Sequence, residues 1–228
     1  AGGNGEVPPL RELATVIAYA PNTTPNGDAR QNLNSPTLTT QLLQNRLQLS
    51  PQLAGQILAA RAAQPNNQFP RLSTVLAIPG VSRDPNAIRQ ILDNANTSPA
   101  TRLNGRVNVN TASVEVLAAI PGVGTDLAQA ILSRQTSGGM TRLSDVAQIS
   151  TTPAFLAAVA DRMSVASQSF EVRAIGEAGG TKVAITATVA IENGALRVTR
   201  ITELPFGDMA SRWQWADVAT TTTLAEAN

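Results

Sequence analysis

The sequence predicts an α+β protein in which two tandem four-helix domains are inserted in, or precede, a small antiparallel sheet. Three observations predict it. An ordered series of segments occurs twice, a Pro-Gly helix corner sits inside the second copy, and the apolar period then changes from helical to alternating. The duplication is read first, because a repeat fixes the domain plan. Arg30-Gln31-Asn32-Leu33-Asn34-Ser35 returns as Arg106-Val107-Asn108-Val109-Asn110-Thr111. Leu53-Ala54-Gly55-Gln56-Ile57-Leu58 returns as Leu127-Ala128-Gln129-Ala130-Ile131-Leu132, and Arg71-Leu72-Ser73-Thr74-Val75 as Arg142-Leu143-Ser144-Asp145-Val146.

In chain order, residues 1–27 form an N-terminal segment in which 13–19 reads as a strand able to join the later sheet. Residues 28–100 are the first helical domain and 101–165 the second. Within each, two successive helical hairpins give four short helices, which must bury their apolar stripes to persist in water. Ser35-Pro36 and Ser50-Pro51 read as N-caps followed by proline at the first helical position, and Thr111 stands where Ser35 does. The corners are Pro79-Gly80 in the first copy and Pro121-Gly122-Val123-Gly124 in the second. Leu47-Gln48-Leu49-Ser50 takes the latter's place in the first copy. Pro79, Gly80, Pro121, Gly122, Val123 and Gly124 are therefore expected to be structural, with glycine where the turn needs positive φ. Leu53, Ile57, Leu127 and Ile131 are expected to line the cores.

Residues 166–205 read as a meander. Phe170, Val172 and Ala174 share one face, and Val183, Ile185, Ala187, Val189 and Ile191 alternate with Ala184, Thr186, Thr188 and Ala190. Gly176 to Gly180 makes the first turn and Asn193-Gly194 the second, ahead of a third strand from Ala195 to Leu204. The tail, 206–228, carries Trp213 and Trp215, which are expected to fold back on the sheet.

Composition narrows the function. The 228 residues carry a net charge of +1 and contain neither cysteine nor histidine. Thiol catalysis, imidazole general bases, disulfides and the usual zinc sites are thereby removed. Gly176-Glu177-Ala178-Gly179-Gly180 lies between strands and reads as a hairpin turn, not a phosphate loop. Glu115, Asp126 and Asp145 are spaced as solvated helix faces. The expectation is no enzyme and no catalytic residue.

The Arg106–Ala112 segment, the Leu117–Leu132 hairpin and Phe170-Glu171-Val172-Arg173 with its strands resemble the K-type minor pseudopilin of bacterial type II secretion. Leu13–Thr23 leading into Arg30–Asn34 is similar to that family as well. The resemblance implies helix-hairpin-helix, SAM-like domains inserted in a pilin-like body. It implies a non-enzymatic subunit at the pseudopilus tip that takes part in protein export with I-type and J-type minor pseudopilins. It also implies a periplasmic location, with the full-length protein anchored to the inner membrane by an N-terminal helix that this sequence lacks. Calcium is a further implied cofactor. Asn22, Asn26 and Asp28 supply oxygens in one loop, but a calcium site wants several hard ligands, and the single carboxylate of Asp28 fits a plain turn better.

The rival reading is a helix-hairpin-helix DNA binder of the competence, DNA-uptake type, since amides at a helix N-terminus favour an anion. Against it, Asp126 falls in the first helical turn, Asp84-Pro85 places a carboxylate and a missing donor at the other copy's corner, and no basic residue lies between Thr125 and Leu132. Phosphate grip needs several cations acting together. Nucleic acid is therefore not the expected partner, and the corners are expected to pack.

Overall fold

The computed structural model describes residues 19–192 and 194–205. The chain divides into two units, 1–167 and 168–228. Among the described residues it is a mixed α/β protein with nine α-helices and small sheets.

In the first unit each repeat opens and closes with a short strand. β1 (Tyr19–Pro21) runs antiparallel to β4 (Arg102–Asn104). β2 (Gln31–Asn32) pairs in parallel with β3 (Ala95–Asn96), and β5 (Val107–Asn108) pairs in parallel with β6 (Met163–Ser164). Between β2 and β3 lie α1 (Thr40–Leu47), α2 (Pro51–Ala62), α3 (Leu72–Leu76), α4 (Pro79–Ser82) and α5 (Pro85–Asn94). Between β5 and β6 lie α6 (Val114–Ala118), α7 (Gly124–Thr136), α8 (Leu143–Ala147) and α9 (Pro153–Arg162). The repeats thus correspond element by element, except that the first adds a 3₁₀ turn at Pro65–Asn67 and that α4 replaces the Ile149–Thr152 loop.

Local chemistry explains most boundaries. Ser50 accepts from the Leu53 amide ahead of α2, with Pro51 at its first position. Asp84 accepts from Asn86 and Ala87 ahead of α5, with Pro85 placed likewise. Ser35 is not the cap that Ser35-Pro36 suggests. It forms a turn, its hydroxyl accepting from the Thr37 amide, and the turn drives Leu38 into the core before α1 starts behind Thr39. In the second repeat the helix likewise starts after Ser113, not Thr111.

The Asn-x-Asn pairs clasp the repeats. Asn34 donates to the carbonyls of Phe69 and Thr97, each at 2.9 Å, and accepts from the Phe69 amide at 2.8 Å. Asn110 repeats this with Met140 and Val165. Asn32 and Asn108 each accept from the amide two residues on, which fixes the clasp's angle. Asn110→Ala strips three buried-edge backbone groups of their partner, and about 2–4 kcal/mol of stability should go with them. A thermal midpoint indistinguishable from the parent would remove the clasp from the account.

The two repeats bury their side chains in one continuous cluster, which includes Leu33, Leu43, Ile57, Ile91, Leu117, Ile131, Phe155 and Val159. Ile57 and Ile131 are fully buried, while Leu53 and Leu127 lie partly buried against the cluster. The arrangement is reciprocal. α5 of the first repeat packs on α8 of the second, and α9 of the second packs on α3 of the first. Each contact carries the same polar link. Asp93 accepts from the Ser144 amide at 3.0 Å and its hydroxyl at 2.6 Å. Asp161 accepts from the Ser73 amide at 3.1 Å and from the Ser73 hydroxyl. Helices of four or five residues cannot stand alone. Here α3 and α8 are completed by the twin repeat, and α4 and α6 by helices of their own repeat.

The strand expected over 13–19 is met only at Tyr19, since residues 13–18 lie outside the described residues. Tyr19 belongs to β1, which pairs with Arg102–Asn104 and not with the later meander. Asn22 holds it there, donating to the Ala100 carbonyl at 2.7 Å, and the Arg102 guanidinium lies 4.7 Å from the Tyr19 ring centre.

The second unit is a meander of β7 (Ser169–Ala178), β8 (Thr181–Glu192) and β9 (Ala195–Pro205) in that order. The first turn is shorter than Gly176–Gly180. Gly176 pairs within the sheet opposite Val183, and Gly179-Gly180, both at positive φ, turn the chain. Opposed residues share a face in an antiparallel pair, so the register sorts the side chains. Phe170, Val172, Val183, Ile185, Val189, Ile191, Leu196, Val198 and Ile201 occupy one face together with Glu203, and Glu171, Arg173, Lys182, Arg197 and Arg200 occupy the other together with Ile175. Along the outer strands the apolar face is open among the described residues, with Leu196 72% and Ile201 65% exposed, while Val189 of the central strand is buried. Trp213 and Trp215, expected to fold onto it, lie outside the described residues.

Candidate functional site

Ile120 to Val123 closes a β-turn, the Val123 amide donating to the Ile120 carbonyl at 3.0 Å. Pro121 takes the second position of the turn and Gly122 the third, where φ is +92°. That position demands glycine when φ is positive. Gly124, at φ +65°, then starts α7. A Cβ on Gly122 would lie 2.5 Å from the Ala154 carbonyl oxygen, so α9 presses against the turn from one side.

The corner is packed on one side only. Val123 is buried, whereas Pro121, Gly122, Gly124, Thr125 and Asp126 are exposed. The corner expected to pack does so on α9 through Gly122, and its outer side is exposed. Ile120 and Val123, the two ends of the turn, are buried in the core, and the residues between and after them are exposed.

Pro79-Gly80 is a different device. Both residues begin α4, and Gly80 has no positive φ. Its lack of a side chain matters because a Cβ would fall on the Gln56 side chain and 2.8 Å from a Leu53 methyl. The αL turn of the first repeat is made instead by Gln48, at φ +50°. Nothing in the residue types Leu-Gln-Leu-Ser marks that position from sequence.

The corners differ in what their amides do. Ser50 and Asp84 occupy the amides of α2 and α5 with their own side chains. α7 has no side-chain cap. Asp126 lies in its first turn, where a carboxylate complements the helix dipole and repels a phosphate. The basic residue of α7 is Arg134 in its last turn, about 15 Å along the axis from Gly124.

The loop that holds Asp28 is a tight hairpin. The Thr24 amide donates to the Asp28 carbonyl, and the Gly27 amide to the Thr24 carbonyl. Asn22 is buried and its side-chain oxygen accepts from Asn96 at 2.8 Å, whereas Asn26 and Asp28 are exposed. The three oxygens are not brought together, and among the described residues no group of three or more acidic side chains is positioned to hold a metal ion.

Two arginines were not singled out by sequence reasoning beyond their place in the repeat. Arg30 and Arg106 are both substantially buried, and burial lowers the pKa of each. Asp93 opposes the shift at Arg30. Arg106 is pushed down to about 10 by burial, opposed by Asp161 and assisted by the charge of Arg30. Their recurrence ahead of each Asn-x-Asn pair was the available signal.

No helix among the described residues is long and apolar enough to cross a membrane. A family model described as a helix-hairpin-helix motif matches residues 104–155, which span β5, the Pro121–Gly124 corner and the start of α9. No curated protein and no solved structure matches the chain.

Proposed function

We propose that this chain is a non-enzymatic assembly subunit, a minor pseudopilin of the K type that caps a type II secretion pseudopilus and takes part in protein export. In that reading the paired helical repeats are SAM-like domains carried on a pilin-like sheet. The protein works in the periplasm, held to the inner membrane by an N-terminal helix before assembly, beside I-type and J-type minor pseudopilins. The observation that carries the reading is the open apolar face of the β7–β9 meander. A three-stranded sheet needs a cover on such a face. An apolar helix is the cover that a pilin-like body provides.

The second reading, DNA binding, is favoured by the helix-hairpin-helix match and by the exposed, uncapped start of α7. Asp126 at that position and the distance to Arg134 weigh against it, because counterion release requires several cations on the backbone.

One experiment separates them. The full chain, mixed with I-type and J-type minor pseudopilins, should co-elute in size-exclusion chromatography and should not retard duplex DNA at physiological salt. Submicromolar retardation that is lost in Gly122→Asp, with no co-elution, would replace the first reading with the second.

A further inference from the structure

The sheet of the second unit has two edges, β7 and β9, and they are not equivalent. β9 shifts register between its partners Thr188 and Val189 and ends at Pro205, two features that spoil an edge for further pairing. β7 pairs with β8 in unbroken register from Ser169 to Ala178, and its residues from Phe170 to Ala178 are all exposed. A regular, uncovered edge is a template for another strand. Register also decides which backbone groups that edge offers. The Ile191 amide donates to the Gln168 carbonyl at 2.8 Å, so Gln168 bonds toward β8. Alternation along an antiparallel pair then turns the backbone groups of Phe170, Val172 and Ala174 toward β8 and those of Glu171, Arg173 and Ile175 outward.

The side chains add a second condition. Glu171 and Arg173 stand two residues apart on the polar face and form an exposed ion pair at 2.7 Å. When a strand pairs antiparallel with a copy of itself, the residue on the two-fold axis sets which charges meet. An axis at Glu171 or at Arg173 sets that residue against itself, and an axis at Ala174 brings Glu171 against Glu177. An axis at Ile175 sets Arg173 against Glu177, which Lys182 already holds at 3.4 Å, and leaves Glu171 opposite Gly179 in the turn. An axis at Val172 sets Glu171 opposite the second copy's Arg173, and Arg173 opposite its Glu171. Only there are both charges of the pair answered, and the same register brings outward-facing backbone groups together.

We propose that two copies of this chain associate by antiparallel pairing of their β7 strands about a two-fold axis at Val172, which doubles the three-stranded sheet. Around the axis four charges alternate in sign, so each ion pair keeps its own partner and gains a second. On the apolar side Val172 meets Val172 and Phe170 meets Ala174. The occupant of the edge is a second copy because at this register the strand is complementary to itself. A contact of two strands is small, so the association is weak, in the upper micromolar range. The inference is independent of the secretion reading, since the pairing uses the edge of the sheet and leaves its apolar face as it is.

The test uses the full chain, which contains no cysteine. Val172→Cys brings two thiols to the axis, where opposed Cα atoms lie about 4.5 Å apart and a disulfide can close. Under mild oxidation at equal concentration it should form a covalent dimer about tenfold faster than Ile175→Cys, whose thiols stand roughly 20 Å apart in this register. Sedimentation equilibrium should show the parent passing from monomer to dimer as its concentration rises. Glu171→Arg and Arg173→Glu should each keep the parent melting point, since their ion pair is exposed, and weaken association about tenfold. An equimolar mixture of the two variants should associate at least as tightly as the parent, because each supplies the charges that the other lacks. A parent that stays monomeric at millimolar concentration, cross-linking of Ile175→Cys as fast as that of Val172→Cys, or no recovery in the mixture would each overturn the proposal.

Discussion

Gly122→Val should lower the thermal midpoint by roughly 10 °C or more, the sum of two independent costs. At φ +92° a β-branched residue is strained by about 1–3 kcal/mol. The added Cβ would also stand 2.5 Å from the Ala154 carbonyl oxygen, and forcing that backbone aside costs about 1–3 kcal/mol more. Because both repeats share one core, the loss should appear as a single cooperative transition and not as melting of the second repeat alone. Gly124→Ala is the internal control. Gly124 also has positive φ, but a Cβ there meets nothing within 4 Å, so it should lose only about 1 kcal/mol. Equal melting of Gly122→Val and the parent would show that the turn is misassigned.

Asp93→Ala should cost about 3–5 kcal/mol in urea unfolding, the expense of breaking a buried charged link from one side. Asp93 is 2% exposed, and its carboxylate is the acceptor for the amide and hydroxyl of Ser144, across the joint between the repeats. Its loss leaves the Ser144 donors unpaired and deprives buried Arg30 of the opposite charge that acts on it. Asp93→Asn, which keeps one acceptor oxygen, should lose less. Pairing Asp93→Ala with Ser144→Ala should cost less than the two single losses added, because they remove one interaction. Strict additivity would mean that the link contributes nothing of its own.

The residues that the sequence made legible are those whose local chemistry is self-sufficient. Pro121-Gly122 announces its turn because positive φ restricts the residue type, and Gly194 marks its hairpin for the same reason. Ser50-Pro51 and Asp84-Pro85 announce helix starts, since a cap needs only amides two or three residues away. Ser35-Pro36 has the same signature and makes a turn, and here nothing local distinguishes the two. The difference lies in Leu38, which the core draws in before the helix begins. Gly80 carries the mark of a corner and instead gives α4 room against α2, a demand set by a neighbour remote in sequence.

The duplication, the hairpin chemistry, and the alternation along the first two strands of the meander follow from the sequence by itself. Each depends on spacing along the chain, and spacing is all that a sequence displays. Tertiary structure alone decided that the repeats complete one another through Asp93–Ser144 and Asp161–Ser73. It alone decided that the Pro121–Gly124 corner stays half exposed, and that Arg30 and Arg106, at equivalent places in the repeat, have different partners. These outcomes turn on which surface a segment meets across the fold, and neither period nor composition encodes that distance.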